Sequence, residues 1–86
     1  MNEIPNPIEE DTALEAALLR QLVALHPIQL TLGELQREIA GELRDFALTD
    51  AVERAVRDLA AAGLVHRSGE VVLPSRAALR FDELLG

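Results

Sequence analysis

The spacing of the apolar residues changes once, sharply, between Thr49 and Leu73, and that change dictates most of what this chain can fold into. From Thr49 to Ala62 the apolar side chains recur at helical spacing. Ala51, Val52, Ala55, Val56 and Leu59 share one face, and Asp50, Glu53, Arg54, Arg57 and Asp58 share the other. Gly63 then stops the helix, as glycine does just past a helix end. Two short apolar runs follow, Leu64–Arg67 and Glu70–Leu73, on either side of Ser68-Gly69, a two-residue hairpin signal. With that turn, Arg67 faces Glu70, His66 faces Val71, Val65 faces Val72 and Leu64 faces Leu73. Leu64, His66, Val71 and Leu73 then lie on one face of the hairpin.

Two helices are expected before this stretch. The first starts at Asp11 or Thr12, where Thr12-x-x-Glu15 has capping-box spacing and Glu9, Glu10 and Asp11 favour the positive end of the helix dipole. Leu14, Leu18, Leu22 and Leu25 form its stripe, with Leu19 and Val23 beside it. Either the helix is well buried, or that second row meets another subunit. His26-Pro27 ends it, because the residue before proline avoids the helical region. Ile28-Gln29-Leu30 reads as a short strand that pairs with the hairpin. Thr31-x-x-Glu34 is a second capping box, opening a helix whose apolar positions are Leu32, Leu35, Ile39 and Leu43, with Gly41 near its end. The link 41–50 carries Phe46 and Leu48 as apolar plugs. The third helix begins at Thr49 or Asp50, where Asp50-x-x-Glu53 again fits the box. After the hairpin, Pro74-Ser75 starts a last short helix with Ala77, Phe81, Leu84 and Leu85 as its stripe and Arg76, Arg80, Asp82 and Glu83 in water.

The expected fold is therefore mainly α with a small antiparallel β-hairpin, an α+β domain. Residues 1–10 read as a flexible acidic N-terminal arm and residues 11–86 as a single domain, the size that 86 residues allow. Phe46 and Phe81 are the only aromatics, so the core is aliphatic and modest. A core of that kind often gains stability by dimerisation. Leu19, Val23, Phe81, Leu84 and Leu85 are the residues expected at a homodimer interface, since exposed they would be costly in a monomer.

The order helix, short strand, helix, helix, hairpin, helix over residues 12–85 resembles a winged helix-turn-helix domain. The segment AVERAVRDLAAAGLVHRSGEVVL is similar to the recognition helix and wing of bacterial winged-helix regulators of the broad MarR-, ArsR- and PadR-like group. The resemblance implies a DNA-binding transcriptional regulator acting through helix 49–62 and wing 64–73, with double-stranded DNA as its partner. In that role Thr49 would hydrogen-bond a phosphate near a helix N-terminus. Arg54 and Arg57 would reach base edges or phosphates. His66 and Arg67 would touch DNA at the wing, Arg67 at a phosphate or a narrow minor groove. Arg76 would add positive charge just beyond it, with Arg80.

The charge balance keeps a second reading open. The formal charge is −7, and residues 1–15 hold five acids and no base. The remainder sets eight arginines against ten acids, and there is no lysine. Residues 50–58 are net −1, and each arginine that would read a groove has an acidic neighbour able to occupy it: Glu53 for Arg57, Asp58 for Arg54 and Glu70 for Arg67. An acidic chain is not what phosphate binding alone selects. A winged-helix protein-interaction or adaptor module that does not bind DNA is the alternative, and fold alone does not decide between them.

Enzymatic chemistry is not expected. The chain has no cysteine, its two histidines, His26 and His66, lie forty positions apart, and Gly33 and Gly41 are isolated rather than part of a phosphate loop. His26 suits a helix C-terminus, and His66 a half-buried strand position or a wing-tip contact. No catalytic residue, metal site or cofactor is assigned. The segment MNEIPNPIEED lacks the basic and apolar regions of a signal peptide, and the longest apolar run is far short of the ~20 residues a membrane helix needs. A cytoplasmic protein without membrane association is the expectation.

Overall fold

Proline is tolerated at the first position of a helix, where its missing N–H has no intrahelical partner in any case. The first helix, α1, uses this and runs Pro7–Leu25. The computed structural model describes residues 7–40 and 46–86. The start expected at Asp11 or Thr12 is thus one turn late. The acidic run Glu9-Glu10-Asp11 sits inside the first turns, Thr12 is an interior residue, and Thr12 with Glu15 cannot cap the helix. Helix α1 also takes in Pro7–Glu10, four of the residues assigned to the arm; residues 1–6 lie outside the described residues. The end is as expected, with the His26 N–H donating back to the Leu22 and Val23 carbonyls at 3.1 and 3.3 Å.

Strand β1 is Leu30–Thr31, starting two residues later than the expected run from Ile28. Leu30 is the residue that turns to the core, while Ile28 is left 61% exposed. Thr31 is also the N-cap of α2, Leu32–Ala40. Its capping box is complete. The Glu34 N–H donates to Thr31 Oγ1 at 3.1 Å, and Glu34 Oε1 accepts from the Thr31 N–H at 3.1 Å and from its hydroxyl at 3.0 Å. These donors favour the ionised carboxylate, so the Thr31 N–H first, the Thr31 hydroxyl second and the nearby Arg37 charge hold the Glu34 carboxyl below its ordinary range. Gly41 and Leu43, expected at the end of α2, fall outside the described residues.

Helix α3 is Phe46–Ala61, and it too starts earlier than expected. Leu48 belongs to its apolar face one turn before Val52, so Phe46 and Leu48 are helical rather than plugs in a link; residues 41–45 lie outside the described residues. Asp50 and Glu53 are interior positions of the helix and form no cap. The far end follows the expectation at Gly63, with φ +80°. The Gly63 N–H donates to the Ala60 carbonyl at 3.0 Å and the Leu64 N–H to the Leu59 carbonyl at 2.9 Å, the two bonds of a Schellman motif.

Strands β2, Val65–Ser68, and β3, Val71–Pro74, pair antiparallel, and β3 lies between β2 and β1 in a three-stranded sheet. The register corrects the expected pairing. Val65 faces Pro74, His66 faces Leu73, Arg67 faces Val72 and Ser68 faces Val71, so the turn is Gly69-Glu70 and not Ser68-Gly69. The reason is the demand for positive φ. A turn centred on Gly69-Glu70 needs it only at its first central residue, and Gly69 supplies φ +61° there. The slip is two residues, which changes every partner but no face. His66, Val71 and Leu73 still share a side, and Val65 and Val72 are buried on the other. Leu30 faces Val72 across β1 and β3, and the Leu32 N–H donates to the Glu70 carbonyl at 2.8 Å, tying the turn to the start of α2.

Ser75 caps α4, Arg76–Leu85, its hydroxyl oxygen accepting the Ala78 N–H at 3.1 Å. The core is aliphatic throughout the described residues: Leu18 and Leu22 of α1, Leu30, Leu32 and Leu35, Val52, Ala55, Val56 and Leu59 of α3, and Val65 and Val72 of the sheet. Helix α4 contributes Ala78 to the buried set, whereas its apolar stripe, Ala77, Phe81, Leu84 and Leu85, faces solvent. Among the described residues, four helices and one small antiparallel sheet make a mainly helical α+β fold, as expected. No described helix is long and apolar enough to cross a membrane.

Candidate nucleic-acid interface

Burying Val52, Ala55, Val56 and Leu59 against α1 and α2 forces the opposite face of α3 outward, and that face carries its charges. Arg54 and Arg57 are exposed one turn apart. Asp50, Glu53 and Asp58 are exposed on the same helix. Gly63 then turns the chain into β2, where Arg67 is exposed although its backbone lies opposite the buried Val72. Arg76 is exposed at the first turn of α4.

The arginines are not occupied by their acidic neighbours. Among the described residues the only ion pair is Arg80–Glu83, at 3.0 Å on the open surface of α4. The i,i+4 neighbours Glu53/Arg57 and Arg54/Asp58 do not pair. The expected Arg67–Glu70 cross-strand contact is excluded by the register, which puts Val72 opposite Arg67 and Glu70 in the turn. Arg54, Arg57, Arg67 and Arg76 therefore present free guanidinium groups, while Arg80 has its charge balanced locally.

Thr49 sits differently from its expected role, and His66 takes an exposed position. Thr49 is the fourth residue of α3 rather than its first, and it is half-buried, with its carbonyl accepting from Gln36 Nε2 at 3.4 Å. It is not at the helix N-terminus where a phosphate would be met. His66 is exposed, not half-buried, on the outer face of the hairpin opposite Leu73. Among the described residues no three histidines or acids come together in a manner suited to a metal ion.

The five residues expected at a subunit interface come from opposite ends of the chain, and the fold brings four of them into one place. Leu19 and Val23 of α1 and Phe81 and Leu85 of α4 line a single groove of about 370 Å³, together with Ala16, Arg20 and Asp82. Leu84 is 68% exposed on the same last turn of α4. Asp82 was expected only to face water; its helical spacing to Leu85, and that of Arg20 to Val23, is the signal that could have placed both on the groove.

Comparison with protein-family models, with curated proteins and with solved structures finds no match. The site therefore stands on its own geometry.

Proposed function

We propose that this chain is a non-catalytic winged-helix domain that binds double-stranded DNA and acts as a transcriptional regulator. Helix α3 enters the major groove and the β2–β3 hairpin serves as the wing. The element order, with a short strand pairing to the hairpin and a glycine-stopped helix leading into it, supports the winged-helix reading. The observation that carries the DNA reading is the set of unpaired, exposed arginines on α3 and the adjoining hairpin, Arg54, Arg57 and Arg67. A guanidinium held by a carboxylate has its hydrogen-bonding fork already used; a free one can take a guanine edge or a phosphate.

The exposed carboxylates Asp50, Glu53 and Asp58 on the same helix favour the second reading, a winged-helix module whose partner is a protein. Carboxylates facing phosphates oppose binding, so on DNA they must lie beside the strand or be matched by cytosine amino groups. Titration of the protein into random-sequence duplex at low salt separates the two. Binding that the Arg54→Ala/Arg57→Ala double variant weakens supports the DNA reading. No binding of either protein at low salt would leave the protein-partner reading in place.

A further inference from the structure

Among the described residues four large apolar side chains are more than half exposed, and three of them, Phe81, Leu84 and Leu85, sit on the last turns of α4 at 62, 68 and 72%. Phe81 and Leu85 line the groove together with Ala16, Leu19 and Val23 of α1, and Leu84 lies on the same last turn of α4. The exposed apolar side chains and the recess that two of them line thus lie together. The two charged residues at the groove are of opposite sign and on opposite walls, Arg20 on α1 and Asp82 on α4, and they do not pair with each other within the chain. An apolar groove with exposed apolar side chains along it, and one unpaired cation and one unpaired anion on opposite walls, has the charge pattern to meet a second copy of itself. That is the condition for a two-fold interface, in which residue i meets residue j and j meets i.

We propose that the occupant of the α1–α4 groove is a second copy of this chain, seated by two-fold exchange of Phe81, Leu84 and Leu85, with Arg20 of each copy against Asp82 of the other. The apolar end of α4 is then buried in each copy, and two ion pairs form that the single chain does not make. Charges facing each other across such a contact fix the register of the pair, because like charges there are strongly unfavourable. The dimer does not rest on DNA binding: a dimer without DNA affinity leaves it standing, and DNA affinity in a strict monomer overturns it alone.

Sedimentation equilibrium across the micromolar range tests it. The expected mass is twice the 9.4 kDa of the chain. Leu85→Arg should give a folded monomer, checked by an unchanged helical circular-dichroism spectrum. Arg20→Asp and Asp82→Arg should each raise the dissociation constant about tenfold or more. The double variant Arg20→Asp/Asp82→Arg should bring it back toward the starting value, a rescue that does not depend on how Leu85→Arg folds. A mass of 9.4 kDa at every concentration overturns the proposal. So does a dimer indifferent to the charge reversals, or a double variant no better than the single ones. A monomer whose groove takes up anilinonaphthalene sulfonate would assign the groove to small apolar molecules instead.

Discussion

Replacing Thr31 by alanine removes one side chain that serves two elements at once, the end of β1 and the cap of α2. The loss can be worked from the contacts. The Glu34 N–H loses its acceptor at 3.1 Å, and Glu34 Oε1 loses the hydroxyl donor at 3.0 Å but keeps the Thr31 N–H. An N-cap threonine exchanged for alanine costs about 1 kcal/mol, within a range of roughly 0.5–2. For a domain of this size 1 kcal/mol lowers the melting temperature by about 4–8 °C. Thermal unfolding followed by circular dichroism reads this directly, with Thr31→Ser as the control that keeps the hydroxyl. Alanine and serine variants that melt together, within experimental scatter of the starting protein, would refute the capping account. The same box has a pH signature. The folded Glu34 carboxyl is held below its ordinary value of 4.5, mainly by the Thr31 N–H. Its stabilising contribution is therefore complete above that ordinary value and is lost as the pH falls through the lower, folded value. Glu34→Gln keeps an acceptor and removes the titration. The stability gap between the two proteins should be present at pH 7 and close in acid, and a gap that is constant with pH would contradict the assignment.

Leu35 is fully buried, and Leu35→Ala should cost roughly 2–5 kcal/mol by urea unfolding; a loss below about 1 kcal/mol would show that α2 is not packed as described. At Gly63 nothing lies within 4 Å of an added Cβ, so Gly63→Ala tests φ +80° alone. The left-handed conformation should cost about 1 kcal/mol after allowing for the stiffer unfolded chain, and a neutral result would contradict the Schellman end of α3. In the hairpin, cross-strand NMR contacts should join Ser68 to Val71 and Arg67 to Val72; contacts joining Arg67 to Glu70 would restore the register that the sequence suggests.

Three stretches share the same capping-box spacing, and only Thr31-x-x-Glu34 becomes a cap. The difference lies in what precedes each. Thr31 follows Leu30 in a strand that pairs with Val72, so its backbone is already extended, the conformation an N-cap requires. Thr12 and Asp50 are preceded by residues that can extend the helix, Pro7 at a permitted first position and Leu48 on the same apolar face as Val52. A short pattern cannot register that competition. The hairpin shows a similar division. Alternation placed His66, Val71 and Leu73 on one face correctly, because faces survive a two-residue slip. The partners were lost because Ser68-Gly69 and Gly69-Glu70 both contain the glycine, and the choice depends on which turn needs fewer positive φ values. At the site, the exposed face of α3 was legible from period alone. Whether its arginines are free was not, since that depends on side-chain conformation and, for Arg67, on register. The α1–α4 groove was legible only as two separate apolar rows, because residues more than fifty positions apart meet through the tertiary fold.

The most direct test of DNA binding is the salt dependence of affinity for duplex DNA. If Arg54, Arg57, Arg67 and Arg76 each neutralise one phosphate, four contacts per chain give a slope of log K against log salt of about −3.6, or roughly a hundredfold loss between 50 and 200 mM salt. Arg67→Ala should make the slope shallower by about 0.9. No binding at 50 mM salt, or a slope that none of the four arginine variants alters, would contradict the assignment of α3 and the hairpin as a DNA-binding surface.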